Sequence, residues 1–285
     1  MDRRLTPFNN RVAHVSLHGQ VEAERFVEGE VHPVTTPVAD LLAGIGGARD
    51  RQLLRGDLFR VLELHEGRAF GMAEKDGYVG WMDPVDLVGA PTEEPTHRVA
   101  AARSYGKSTP GLKQMGLITS LSLGARLPVL GEQDGWARVA WSRGTVPRDL
   151  YIPVQHLAPV DQFEPDPVAV AERLLGTPYL WGGNSAFGID CSGLVQIALH
   201  ACGRDCPGDS DMQEALGRAL PPGTSPERGD LMFWKGHVAW VSDPDRLIHA
   251  NAFHMAVAYE PITQAIVRIQ QQGDGPVTRH ARLTT

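Results

Sequence analysis

An α+β domain at the C-terminal end, preceded by two small β-barrels, is the fold class this 285-residue sequence predicts. Three observations predict it. Two proline-bounded polar stretches, Ala90-Pro91-Thr92-Glu93-Glu94-Pro95-Thr96 and Pro159 to Pro167, divide the chain into residues 1–90, 97–160 and 165–285. The first two segments echo each other: Gly56, Val61, Leu62 and Gly67 recur as Gly124, Val129, Leu130 and Gly135, each sixty-eight positions later. The third segment opens with apolar residues at helical spacing and continues as consecutive apolar strands.

The first forty residues carry no clear element signal and are expected to pack at a domain interface. The two echoing segments read as short strands punctuated by Gly and Asp turns, as small barrels do. Trp81 and Leu87 are matched by Tyr151 and Leu157 after a further shift of two. Gly77-Tyr78-Val79-Gly80-Trp81-Met82 resembles the motif that closes bacterial SH3-like domains, with Asp149-Leu150-Tyr151-Ile152-Pro153 in the corresponding place of the second copy. In the last segment the spacing predicts helices over 167–175, 191–201 and 210–220. Strands are predicted over 231–234, 237–241 and 246–250.

An apolar content of 42% and a charged content of 21% belong to a globular protein with a real core. The net charge of −7, with no Lys/Arg cluster, excludes nucleic acid and anionic membranes as partners. No apolar run follows Met1-Asp2-Arg3-Arg4, and no stretch reaches the length of a membrane span, so a cytoplasmic location is expected. Three cysteines make a poor disulfide framework. Cys202 and Cys206 lack a second Cys/His pair at zinc-site spacing, so no metal and no organic cofactor are expected.

The chemistry centres on Asp190-Cys191-Ser192-Gly193. The glycine-rich Tyr179-Leu180-Trp181-Gly182-Gly183-Asn184 precedes it, and Leu194, Val195, Ala198 and Leu199 follow at helical spacing. This puts Asp190 at an N-cap and Cys191 in the first helical turn, where the helix dipole and unpaired N–H groups favour the thiolate. A cysteine nucleophile needs a base. His237 opens one strand, Ser242-Asp243-Pro244-Asp245 makes a turn, and His249 lies on the return strand. Pairing Val241 with Leu247 makes the two histidines diagonal neighbours on one face, with His237 the base and His249 fixing its tautomer; an odd-sum register separates them. Tyr179 is either ordinary packing or, with the Cys191 N–H, an oxyanion donor. Asp190 is either a cap alone or also a partner for a substrate ammonium. His14, His18, His65, His200 and His254 have no convergent context.

Tyr179-x-Trp181-Gly182-Gly183, Asp190-Cys191-Ser192-Gly193-Leu194, Gly229-Asp230-Leu231, Gly236-His237-Val238 and His249-Ala250 occur in that order. Together they resemble the NlpC-type family of papain-like cell-wall cysteine peptidases, over most of residues 165–285. The resemblance implies a papain-like domain in which Cys191 is the nucleophile, His237 the base and His249 its orienting partner. It also implies cleavage of γ-D-glutamyl bonds in peptidoglycan stem peptides. With two SH3-like modules ahead, the chain resembles more narrowly the γ-D-glutamyl-L-diamino acid endopeptidases of the dipeptidyl-peptidase VI type. These release L-Ala-γ-D-Glu from peptides with a free N-terminal L-Ala, and their first SH3-like domain walls off the cleft. That implies a murein tripeptide or tetrapeptide as substrate and a role in murein recycling. Asp190, Ser192 and Tyr179 match residues that hold the substrate amine, and Asp209-Ser210-Asp211-Met212-Gln213 resembles a segment lining the cleft. Tyr78 and Asp57 are candidates to complete the amine pocket, Asp57 being shorter than the glutamate expected there.

Two other classes compete. A non-catalytic cell-wall-binding module would lack nucleophile or base, and all three catalytic positions are filled. An acyltransferase or amidase on the same fold would differ in its products. Ser192 lacks a Gly-x-Ser-x-Gly elbow, and Gly44-Ile45-Gly46-Gly47-Ala48 lies outside any βαβ pattern, which disfavours a serine hydrolase and a dinucleotide site.

Overall fold

The computed structural model describes residues 1–87, 93–116, 118–143 and 146–283, which form two units, Met1–Val160 and Asp161–Thr285. The first expected linker therefore lies partly outside the described residues, at Ala90, Pro91 and Thr92.

In the N-terminal unit, alternating side chains build a six-stranded antiparallel sheet. Its order is Glu30–Pro33, Leu58–His65, Arg68–Ala73, Val79–Met82, Val38–Leu42 and Arg49–Leu54. The first forty residues are part of this module. Glu30–Pro33 supplies an edge strand, and Val12 joins Leu62, Phe70, Val79 and Trp81 in the core. Further along, Ile118–Ser122, Arg103–Lys107, Val146–Pro153, Trp136–Arg143 and Val129–Gln133 form a five-stranded sheet. His97–Val99 pairs beside it with Arg126–Leu127 and Leu157–Pro159. Leu121, Leu127, Val139, Leu150 and Ile152 fill that core.

The echo between the segments has a backbone cause. Hairpins 58–73 and 129–143 turn on two-residue loops, Glu66-Gly67 and Asp134-Gly135, all four residues at positive φ. Such loops match the strand twist and favour glycine in second place. Gly56 and Gly124 are likewise left-handed, at φ of 82° and 90°.

In the C-terminal unit Asp166 caps helix α1 (Pro167–Glu172), its carboxylate accepting from the Val168 N–H at 2.8 Å. Helix α2 (Cys191–Ala201) has the expected bounds and is almost wholly buried. The expected helix 210–220 is reduced to α3 (Ser210–Gln213). Gly217 turns left-handed at φ +66°, so close to Arg282 that a β-carbon would meet its carbonyl oxygen at 2.6 Å. Arg218–Ala219 then becomes a strand.

The meander is longer than the sequence predicts. It comprises β1 (Asp230–Trp234), β2 (His237–Asp243), β3 (Arg246–Asn251) and β4 (Ala256–Pro261), then helix α4 (Ile262–Gln272) and β5 (Arg279–Arg282). The antiparallel order is 218–219, β5, β1, β2, β3, β4. Met232, Trp234, Ala239, Val241 and Leu247 pack with Ile262, Ala265 and Ile269 of α4, while α2 packs against β2 and β3. Among the described residues no helix is long and apolar enough to cross a membrane.

Candidate active site

The glycine loop and the start of α2 are joined through one carboxylate. Asp190 Oδ1 accepts from the Gly193 N–H at 2.6 Å and from the Ser192 hydroxyl at 3.0 Å, and Oδ2 accepts from the Gly182 N–H at 3.0 Å. A β-carbon on Gly193 would stand 2.5 Å from the Gly183 carbonyl oxygen, so only glycine lets the helix approach the loop this closely. Cys191 occupies the first turn of α2 and is 8% exposed. The N-terminal end of the helix directs its partial positive charge toward that sulfur. Tyr179 is half-buried. Its phenol is raised above its ordinary value by burial and by the charges of Cys191 and Asp190, so it stays a neutral donor beside them.

The histidines meet through strand register. Val241 faces Leu247 and Trp240 faces Ile248, which puts His237 and His249 on the sheet face that carries α4. His237 Nε2 and His249 Nδ1 are 2.9 Å apart, and His249 Nε2 lies 3.0 Å from Glu260 Oε2 on β4. Arg268 of α4 closes the chain by donating Nε–H to Glu260 Oε1 at 2.8 Å and Nη2–H to Oε2 at 2.7 Å.

Electrostatics fixes the proton positions along this chain. Burial pushes the Glu260 carboxyl up, but its hydrogen bonds to Arg268 and His249 outweigh that and hold it down at about 2. An ionised carboxylate only accepts, so His249 Nε2 carries the hydrogen and its Nδ1 presents a lone pair. His237 then donates Nε2–H to that lone pair, leaving its own Nδ1 unprotonated. Burial, followed by the charges of His249 and Arg268, lowers His237 to about 3. His249, with no exposed surface, is lowered by burial against the pull of Glu260.

Both histidines are thus neutral in the fold at a pH where the unfolded chain has begun to protonate. Below about pH 6.5 the unfolded state binds more protons, so stability is complete above that value and declines as pH falls toward 3. The unfolding free energy from urea titrations should drop between pH 7 and pH 5, by at most about 1.4 kcal/mol per pH unit for each histidine. His237→Ala should flatten that dependence; an unchanged profile would refute the assignment.

The remaining sequence-predicted residues fall into two groups. Asp209 and Ser210 start α3, half-buried, and the segment is tied to α2 by Gln213 Nε2, which donates to the Ser192 carbonyl at 2.9 Å and to the Pro207 carbonyl at 3.0 Å. Tyr78 and Asp57 belong to the N-terminal unit. There Tyr78 is buried, and Asp57 accepts from Lys75 Nζ at 2.7 Å and the Leu54 N–H at 2.9 Å. Burial pushes the Asp57 carboxyl up, but Lys75 holds it below its ordinary value.

Sequence reasoning missed Glu260 and Arg268 as parts of this arrangement, and it placed Gln213 in a cleft-lining segment without its tie to α2. Arg268 sits eight residues after Glu260 across the β4–α4 junction, and neither element carries a motif in the sequence. His249, His254 and Glu260 also bring ligand atoms within 4.8 Å of one another. The bidentate guanidinium on Glu260, and the bond from His254 Nδ1 to Asn251 Oδ1 at 3.0 Å, fit a hydrogen-bond chain better than a metal centre. The three cysteines are free thiols. A cavity of about 570 Å³ opens beside His237, with Tyr179, Trp181, Asn251 and Phe253 among its walls.

Residues 176–272 match the NlpC/P60 family, and residues 43–87 match the bacterial dipeptidyl-peptidase SH3 domain. A γ-D-glutamyl-L-lysine dipeptidyl-peptidase of Bacillus subtilis (strain 168) is 27% identical over 203 residues, 67% of this chain and 66% of the relative. One from Bacillus cereus (strain ATCC 10987) is 30% identical over 211 residues, 66% of this chain and 61% of the relative. The matched region thus spans just under two thirds of each relative's length. The crystal structure of an NlpC/P60 family protein from Bacillus cereus ATCC 10987 superposes with a TM-score of 0.74. It is 19% identical and covers 90% of this chain and 100% of that one, a likeness of fold.

Proposed function

Since the chain carries an NlpC/P60 domain behind a bacterial SH3 domain, we propose that it is a cysteine peptidase hydrolysing the γ-D-glutamyl–diamino acid bond of stem peptides with a free N-terminal L-Ala. The observation that carries the proposal is the chain Arg268–Glu260–His249–His237, which leaves one imidazole nitrogen unprotonated in the domain that presents Cys191 on a helix N-terminus.

In this reading the Cys191 thiol gives its proton to His237 Nδ1 as sulfur attacks the γ-glutamyl carbonyl carbon. Tyr179 and the helix N-terminus hold the oxyanion. The tetrahedral intermediate collapses, the C–N bond breaks, and His237 delivers the proton to the leaving amine. Water then attacks the thioester, giving one proton to His237. Cleavage of the C–S bond releases L-Ala-γ-D-Glu and returns that proton to sulfur. Asp190, Ser192, Asp209 and Ser210 read the substrate's amino end. Residues 97–160 are a second SH3-like module, and the setting is cytoplasmic recycling of murein peptides, where free thiols persist.

Mass spectrometry of the products from L-Ala-γ-D-Glu-L-Lys, its N-acetyl form and a glycan-linked muropeptide tests this. Dipeptide release is expected from the free tripeptide alone, because an acylated amine carries no positive charge for the Asp190 and Asp209 carboxylates to attract. Equal rates on the first two would refute the free-amine requirement. A new amide in place of a free carboxylate would make the protein an acyltransferase, and no turnover would make it a binding module.

A further inference from the structure

The cavity beside His237 carries two charges that the chemistry above leaves unused. Lys235 lies in the two-residue turn joining β1 to β2, fixed by the closing pair Trp234 and His237 and by left-handed Gly236. Asp274 follows the left-handed C-cap Gly273 of α4, its N–H bonded to the Ile269 carbonyl. Both side chains line the cavity. Among the described residues neither makes a hydrogen bond or an ion pair, with each other or with anything else. The third charge on the wall, Arg268, is spent on Glu260 and on Gln272 Oε1 at 2.7 Å.

An ammonium and a carboxylate that share a cavity of about 570 Å³ without pairing complement a ligand bearing both charges. The position narrows the ligand further. On the peptidase reading, which this inference rests on, His237 hands its proton to the departing amine, so the cavity with His237 on its wall meets the residue that leaves. Trp181 and Phe253, 71% and 60% exposed, offer apolar surface to a methylene stem between the two charges.

We propose that this cavity is the leaving-side subsite and recognises a diamino acid with a free carboxylate, Lys235 receiving the α-carboxylate and Asp274 the side-chain ammonium. A stem peptide extended beyond the third residue replaces that carboxylate with an amide and loses one contact. The enzyme therefore favours tripeptides over longer stems.

The test is kcat/KM on four substrates: L-Ala-γ-D-Glu-L-Lys, its C-terminal amide, its Nε-acetyl-lysine analogue, and the tetrapeptide extended by D-Ala. Wild type should prefer the first over each of the others by about tenfold, the scale of one charged hydrogen bond. Lys235→Met should abolish the preference for acid over amide while keeping that for lysine over acetyl-lysine. Asp274→Asn should do the reverse. Preferences that survive in both variants, or are missing from an active wild type, overturn the subsite and leave the peptidase reading standing. A wild type that cleaves none of the four overturns both.

Discussion

Cys191→Ala is expected to reduce release of L-Ala-γ-D-Glu from the free tripeptide by about 10⁴-fold or more, to background. Without sulfur no thioester forms, and the oxyanion donors and the base act on water alone. The fold should survive. Cys191 is one small buried side chain in the first turn of α2, whose cap is the Asp190 carboxylate and whose packing is carried by residues such as Leu194, Val195 and Ala198. Thermal unfolding of the variant should therefore stay close to wild type. Turnover persisting within about tenfold, with unfolding unchanged, would remove Cys191 from the mechanism.

Glu260→Ala is expected to have the largest combined effect. The carboxylate accepts from His249 and, through two bonds, from Arg268. Its loss leaves a guanidinium only 16% exposed without its counter-charge, at a cost of about 3–5 kcal/mol in urea unfolding. It also frees His249 to move its proton to Nδ1. That nitrogen would then donate to His237, which could no longer donate through Nε2 and would lose the tautomer that makes Nδ1 the base. A fall in kcat of about 10²- to 10⁴-fold is expected. Glu260→Gln separates the two effects, since its volume preserves packing while its amide can accept from only one oxygen. Stability should recover in part, and the pH dependence of kcat should shift. Wild-type kcat in Glu260→Ala would show that the proton positions along the chain are fixed without the carboxylate.

Much of the site's frame was legible because its signals are local. The Asp–Cys–Ser–Gly cap and the apolar spacing after it set the bounds of α2, and the Val241–Leu247 pairing follows from a tight turn between two apolar runs. What escaped depends on distant contacts. Glu260 and Arg268 become relevant because β4 pairs with β3 and α4 packs on the face that holds both histidines. Gln213 becomes relevant because a glycine turn stops α3 and α2 passes within reach of its side chain. The edge strand Glu30–Pro33 gave no alternation to read, with both of its first two residues exposed, and its partner strand decides its pairing.

The approach of Gly193 to the Gly183 carbonyl also bears on how such a site can change over time. Loop and helix meet backbone to backbone there, and Asp190 pins both from the same position. The contact leaves no room for a side chain at Gly193, and the Asn184 and Asp190 side chains beside it are held by hydrogen bonds. Altered preference must therefore arise at the periphery, in residues such as Tyr179, Trp181, Lys235 and Asp274 that project from neighbouring turns. On the proposed mechanism the Cys191 sulfur keeps its place while the wall of the cavity beside His237 is free to diversify.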